Sequence, residues 1–296
     1  MSLLLLFNQV IKTTNELLAE LDASRGLGKR SPPPLYHYTG PVGFLGILRD
    51  RNLRATDLLF MNDSEELAYG WGVVTEVARE LHDQYTAPAQ QRLLDDVCEW
   101  QARLPWRTYA VCFTSRRDAL SQWRAYANDG AGYALRFQLR KGADVGVGGS
   151  TSAKAVLLKV LYDRKDQRRA IERVLTRFCE IADTDPKLSL ESALHVLVSW
   201  VASFKSKAFE EEREWRMIVR ESPKGDLEGA SIDMGPSRFG ITPFAKVVLG
   251  DGFDLVQIGN GPKLDRKLSE HATGIALRNG GYEGKTCIWH SRASYR

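Results

Sequence analysis

Glu210, Glu211, Glu212 and Glu214 crowd into one short stretch, and the last of them opens the hydrophobic run Glu214-Trp215-Arg216-Met217-Ile218-Val219. Neighbouring carboxylates repel one another and are costly to bury. If the run is a strand, alternation puts Glu212, Glu214 and Arg216 on one face and Arg213 and Trp215 on the other. Arg216 can then partly neutralise the acidic pair. Glu210 and Glu211 read as the solvated end of a preceding helix. Glu214, set between Phe209 and Trp215, is harder to leave in water, and a carboxylate among rings and other acids is a candidate for a shifted pKa and a catalytic role.

Four other places carry groups suited to chemistry. His37 stands in Leu35-Tyr36-His37-Tyr38-Thr39, where alternation aligns it with Thr39 and sets Tyr36 and Tyr38 opposite. An imidazole there can bind a ligand hydroxyl or move a proton near neutral pH, or it can be a core histidine satisfied by backbone. The run Cys112-Phe113-Thr114-Ser115 precedes a helix with Ser121, Trp123 and Tyr126. Trp123 and Tyr126, three apart, share a helical face, which suits either core packing or an aromatic wall for a flat ring. Asn62, Asp63, Ser64 and Glu65 are explained by helix capping, and His290 by a terminal edge strand.

The elements that must position these groups are legible from periodicity. Strands are expected at Leu35–Thr39, Asn52–Thr56, Thr108–Phe113, Gly132–Leu139, Ala155–Tyr162, Glu214–Val219, Phe244–Leu249 and Lys285–His290. Helices are expected at Val42–Arg49, from Ser64 to about His82, at Pro88–Leu104, Ala119–Ala127, Arg164–Ile181 and Leu188–Phe209, and in an interrupted stretch over Leu255–Leu277. Uneven helices among scattered strands, with no regular β-α alternation, give an α+β fold with a mixed or antiparallel sheet and flanking helices. Residues 1–23 read as an amphipathic helical appendage suited to self-association or partner binding. Residues 24–34 read as a Gly/Pro linker, and 35–296 as a single α+β domain.

The chain has 296 residues, a hydrophobic share of 43% and a formal charge of +4 spread along its length, so no basic patch argues for nucleic acid. Cys98, Cys112, Cys179 and Cys287 form no CxxC pair, which speaks against a zinc site and a disulfide scaffold alike. The Leu3–Phe7 run is too short for a membrane span and lacks the flanks of a signal peptide, so a cytoplasmic protein away from membranes is expected. Neither a P-loop nor a GxGxxG after a strand is present.

In this order the motifs resemble the bacterial domain of unknown function family 2971. They are Leu35-Tyr36-His37-Tyr38-Thr39, Asn62-Asp63-x-Glu65, Cys112-Phe113-Thr114-Ser115 and Trp123-x-x-Tyr126-Ala127. Then come Lys207 with Glu212-x-Glu214-Trp215-Arg216, Phe239-Gly240-Ile241-x-Pro243-Phe244 with Val247-Val248-Leu249-Gly250, and Ser294-Tyr295-Arg296. The resemblance runs from about residue 35 to the C-terminus, and departs at Phe209, where the family pattern usually has tryptophan.

A weaker resemblance is to ADP-ribosyltransferases of the His-Tyr-Glu type. It implies a split sheet, NAD as substrate and no metal. It implies His37, Tyr38, Thr39, Phe113, Ser115, Ser121, Trp123 and Tyr126 as the NAD-binding set, and Glu214 as the catalytic carboxylate beside the nicotinamide ribose. Glu212 would face the acceptor, a nucleic acid or a protein, as in a toxin or phage-defence effector. Two other classes stay open: a metal-dependent hydrolase or nuclease using Asp63, Glu65, Glu212 and Glu214, and a non-catalytic sensor or binding module.

Overall fold

The computed structural model describes residues 32–61, 65–100, 108–140, 145–148, 154–182, 186–220, 231–237, 240–250 and 252–295. The N-terminal helix expected over 1–23 and most of the 24–34 linker lie outside the described residues, as do Asp63, Ser64, Phe239 and Arg296.

Among the described residues the elements run β1 (Leu35–Thr39), α1 (Pro41–Asp50), β2 (Asn52–Asp57), α2 (Glu65–His82), α3 (Pro88–Trp100), β3 (Thr108–Thr114) and α4 (Leu120–Tyr126). Then follow β4 (Tyr133–Leu139), β5 (Val145–Gly146), β6 (Lys154–Lys159), α5 (Arg164–Cys179), α6 (Pro186–Val201) and a 3-10 turn at Lys207–Glu212. The chain closes with β7 (Glu214–Arg220), β8 (Ile232–Ser237), β9 (Gly240–Val248), β10 (Phe253–Asn260), α7 (Arg266–Asn279) and β11 (Cys287–His290). The expected α+β class with a mixed, mostly antiparallel sheet is what the chain adopts.

The sheet runs β11-β10-β4-β1-β3-β2-β9-β8, with β7, β6 and β5 branching from β3. Among the described strands only β10 and β11 pair in parallel. Along one edge β3 pairs with β7 over its whole length, from Thr108↔Arg220 to Thr114↔Glu214. Its other edge is shared: β2 takes the start, at Thr56↔Ala110 and Asp57↔Tyr109, and β1 takes the end, at Tyr36↔Thr114. Between those contacts β1 and β2 part, so the sheet opens beside Cys112.

Two apolar cores flank this split. One lies under α2, α3, α5 and α6 and reaches the sheet at Ala110, Leu158 and Ile218. The other fills the inside of the curled sheet with Leu35, Val111, Phe113, Leu135, Phe137, Trp215, Met217 and Phe253, closed by α1 and α7. Strands β3 and β7 therefore have one face to each core, which is why they read as near-continuous hydrophobic runs.

Several expectations are corrected. Phe253–Asn260 is a strand antiparallel to β4, where a helix is expected from Leu255. A bulge between Leu255 and Gln257 lets Leu255 and Ile258, three apart, both turn inward, so the strand counterfeits helical spacing. The helix expected to run to Phe209 stops at Val201, and Glu212 ends a 3-10 turn instead of joining the strand. Strands β5 and β8 have too little alternation to be anticipated from sequence.

Candidate functional site

The register of β3 against β7 builds the site. Cys112 stands opposite Arg216 and Thr114 opposite Glu214, so these four side chains project to one face. Arg213, with φ of 43°, adopts the left-handed conformation and turns the chain from the 3-10 segment into β7. The turn is fastened at three points. The Thr114 hydroxyl donates to the Glu212 carbonyl (2.6 Å), the Ser115 amide to the Arg213 carbonyl (3.2 Å), and the Glu214 amide to the Tyr162 hydroxyl (2.8 Å).

Glu214 is buried and fully engaged. Arg216 Nε donates to Glu214 Oε1 (2.8 Å) and Arg216 Nη2 to Oε2 (3.0 Å), while Lys205 Nζ lies 3.4 Å from Oε2. Glu66, from the first turn of α2, completes the cluster. It meets Arg216 Nη2 at 2.5 Å and Lys205 Nζ at 2.9 Å, and Lys205 also binds Glu212 Oε2 at 2.7 Å. Three carboxylates thus surround two cations, leaving one formal negative charge in excess. Burial alone would raise the Glu214 pKa, but the Arg216 guanidinium and the Lys205 ammonium override it and hold the carboxyl at about 2. The Arg216 pKa is correspondingly raised, its burial outweighed by Glu214 and Glu66. Glu214 is therefore a fixed anion at any physiological pH and not a proton carrier.

His37 occupies the split. Its Nδ1 lies 2.9 Å from the Cys112 carbonyl oxygen, which only accepts, so Nδ1 carries the hydrogen and Nε2 the lone pair. Burial lowers the His37 pKa more than that bond raises it, so the ring is neutral at pH 7. Alternation sets His37 beside Phe113, with ring centroids 5.9 Å apart, while Tyr36 and Tyr38 turn to the opposite side with Trp123, as the sequence suggests.

His37, Tyr126 and Glu214 all line one cavity of about 470 Å3, together with Arg54, Cys112, Lys205, Phe209 and Glu212. Its size falls within the range of small-molecule sites. Tyr126 is 37% exposed, and its hydroxyl lies 3.4 Å from Glu212 Oε1. Burial, then the Glu212 charge, raises the Tyr126 pKa, so the phenol keeps its proton. The Phe209 ring stands 4.7 Å from Lys205 Nζ and covers the cluster.

Of the residues singled out from sequence, His37, Tyr38, Phe113, Tyr126, Glu212 and Glu214 line the cavity, and Thr39, Ser115, Ser121 and Trp123 do not. Trp123 is a core residue at 0% exposure. It packs edge-on against Tyr38 and Trp289 and donates from Nε1 to Asp118 Oδ1 (2.7 Å). Thr39 packs on Gly43, where a Cβ would come within 2.1 Å of its hydroxyl oxygen. Glu210 and Glu211 are exposed, as expected.

Sequence reasoning missed Lys205, Glu66 and Arg54. Lys205 lies inside an expected helix, where a lysine signifies only surface, and Glu66 is one more acidic residue in the first turn of a helix, which its favourable place at the helix N-terminus already explains. It also missed Asp118, which accepts from Trp123, from the Ser291 hydroxyl (2.6 Å) and from the Arg292 amide (2.8 Å). The C-terminal segment is thereby tied to the loop leading into α4, and Tyr295 donates to Asp129 (2.5 Å) just beyond that helix.

Among the described residues no group of His, Cys, Asp and Glu is arranged to hold a metal ion. Nor is any described helix long and apolar enough to cross a membrane. A family model described as a protein of unknown function, DUF2971, matches residues 122–217. The match spans Tyr126, Lys205, Glu212, Glu214 and Arg216, and leaves out β1 with His37. No curated protein and no solved structure matches the chain.

Proposed function

We propose that the cleft binds NAD, breaks the bond between nicotinamide and ribose, and transfers ADP-ribose to a macromolecular acceptor, nucleic acid or protein. The observation that carries this reading is that His37, Tyr126 and Glu214, from three separate elements, line one cavity. The split between β1 and β2, with histidine in the gap and glutamate at the head of β7, supports the finer description of an ADP-ribosyltransferase-like sheet.

In the proposed reaction the C–N bond breaks and nicotinamide leaves with the bonding pair as a neutral molecule. Positive charge develops on the ribose C1′ and its ring oxygen. Glu214, ionised throughout, stabilises that charge and can accept a hydrogen bond from a ribose hydroxyl. His37 Nε2 accepts from another hydroxyl of the ligand, and the Tyr126 ring offers a face for the nicotinamide. A nucleophilic oxygen or nitrogen of the acceptor then bonds to C1′ and gives up its proton. Glu212, at the more open side of the cluster, is the group assigned to receive it.

Calorimetry with NAD and an assay of nicotinamide release test this directly. Glu214→Gln is expected to keep the fold and NAD binding while abolishing release. Absence of NAD binding, or of release in the presence of protein and nucleic-acid acceptors, would refute the proposal. One observation favours a second reading, a non-catalytic binding module: both Glu214 oxygens are already bonded by Arg216 and Lys205. Unchanged function in Glu214→Gln would decide for it.

A further inference from the structure

The cavity has three cationic side chains on its wall, Lys205, Arg216 and Arg54. Lys205 and Arg216 are consumed by Glu66, Glu212 and Glu214. Arg54, exposed on β2, forms no ion pair among the described residues. Asp50 feels it only through space, its own carboxylate being held by Arg49.

Two features show that Arg54 is not an idle surface cation. Its guanidinium is held over the Phe244 ring, 4.7 Å from the centroid, and Gly235 leaves it room, since a Cβ there would come within 3.1 Å of Nη1. A guanidinium fixed in this way retains free donors in a planar fork. In addition, Arg54 stands directly opposite Lys246 on β9. Like charges in opposed positions of a sheet destabilise it. Lys246 is relieved by pairing with Asp233, whereas Arg54 has no such partner among the described residues.

We infer that Arg54 is the anion-binding residue of the cleft and takes the diphosphate of a dinucleotide ligand. The inference rests on the NAD reading above and assigns the part of the ligand that the buried cluster cannot hold. The cleft is polarised, with one negative charge in excess in its buried cluster and, on its exposed wall, a guanidinium that no described carboxylate pairs. NAD is polarised the same way, with a cationic pyridinium at one end of the nicotinamide nucleotide and a diphosphate at the other. Thr56 lies two residues along on the same face of β2 and also lines the cavity, so its hydroxyl is available beside the guanidinium.

The test titrates wild type, Arg54→Gln and Arg54→Lys with NAD and with nicotinamide riboside, which has no phosphate. Arg54→Gln is expected to weaken NAD by about tenfold to hundredfold, the value of charge-assisted hydrogen bonds to a phosphate. Riboside binding and the melting temperature should be unchanged, and Arg54→Lys should fall between. Equal NAD affinity in wild type and Arg54→Gln overturns the inference, and so does an equal loss for both ligands. If wild type binds no NAD, the nicotinamide reading fails by itself, and inorganic pyrophosphate then decides about Arg54. Pyrophosphate binding that Arg54→Gln abolishes sustains the anion site, and no binding to wild type overturns it.

Discussion

Lys205 and Arg216 on the inner wall of the cavity and Arg54 on the outer wall are alike in charge and opposite in circumstance. The inner pair is buried and satisfied by three carboxylates from α2, the 3-10 turn and β7. Arg54 is exposed and has an aromatic ring as its support. Charge on the inner wall holds elements together, since an unpaired ion there has no water to fall back on. Charge on the outer wall contributes little to the fold and is free for a ligand. Arg216→Met should therefore cost about 3–5 kcal/mol, because the three carboxylates would be left with Lys205 as the cluster's single cation. Arg54→Met should stay within about 0.5 kcal/mol, as exposed substitutions do. Urea unfolding of the two variants reads both numbers, and similar values for the pair would break the distinction.

Acid titration sharpens the same contrast, with a smaller effect. The folded Glu214 pKa of about 2 lies below its ordinary 4.5, so its stabilising contribution is complete above about 4.5 and is lost as pH falls towards 2. The His37 pKa is lowered from 6.5 by burial, so the unfolded chain binds this proton first and stability declines as pH falls below about 6.5. The signs agree, and stability should fall in two stages on acidification. His37→Gln should remove the upper stage and leave the lower one, while Glu214→Gln should remove the lower. A single loss confined to pH below 4, unchanged by His37→Gln, would show that His37 is not held neutral.

How far these walls could be read from sequence depends on whether a local pattern or a long-range meeting decides the outcome. Strand β7 and the shared face of Glu214 and Arg216 follow from alternation alone, and β1, β3 and α4 follow from equally local signals. Glu212 does not follow, because the left-handed Arg213 breaks the alternation that would have put it in the strand. Lys205 and Glu66 are ordinary in sequence and become a cluster only when α2 is packed across β7. The opening beside Cys112 depends on β1 and β2 sharing one edge of β3, which no local periodicity encodes. Strand β10 was hidden by its own bulge. The catalytic candidates were thus legible as chemistry, and the cations that fix their charge state were not.

The outer wall also contains α4, whose Tyr126 and Gln122 line the cavity, and this short helix is held from behind by hydrogen bonds in place of buried ion pairs. Asp118 is the hub: it takes hydrogen bonds from Trp123, Ser291 and Arg292, and the adjoining Arg117 carbonyl accepts from the Tyr38 hydroxyl (2.7 Å). Asp118→Ala leaves the Trp123 indole donor in the core without a partner, a loss of about 1–3 kcal/mol. This is less than the cost of Arg216→Met because the amide and the hydroxyl released from the C-terminal segment can turn to water. The consequence for the site should be selective. Tyr126 loses its fixed support while Glu214 keeps all its partners, so the lower acid transition should persist unchanged in Asp118→Ala. Tryptophan emission should shift as the Trp123 environment loosens. An Asp118→Ala protein that loses the Glu214 transition as well would mean that the two walls are one cooperative unit.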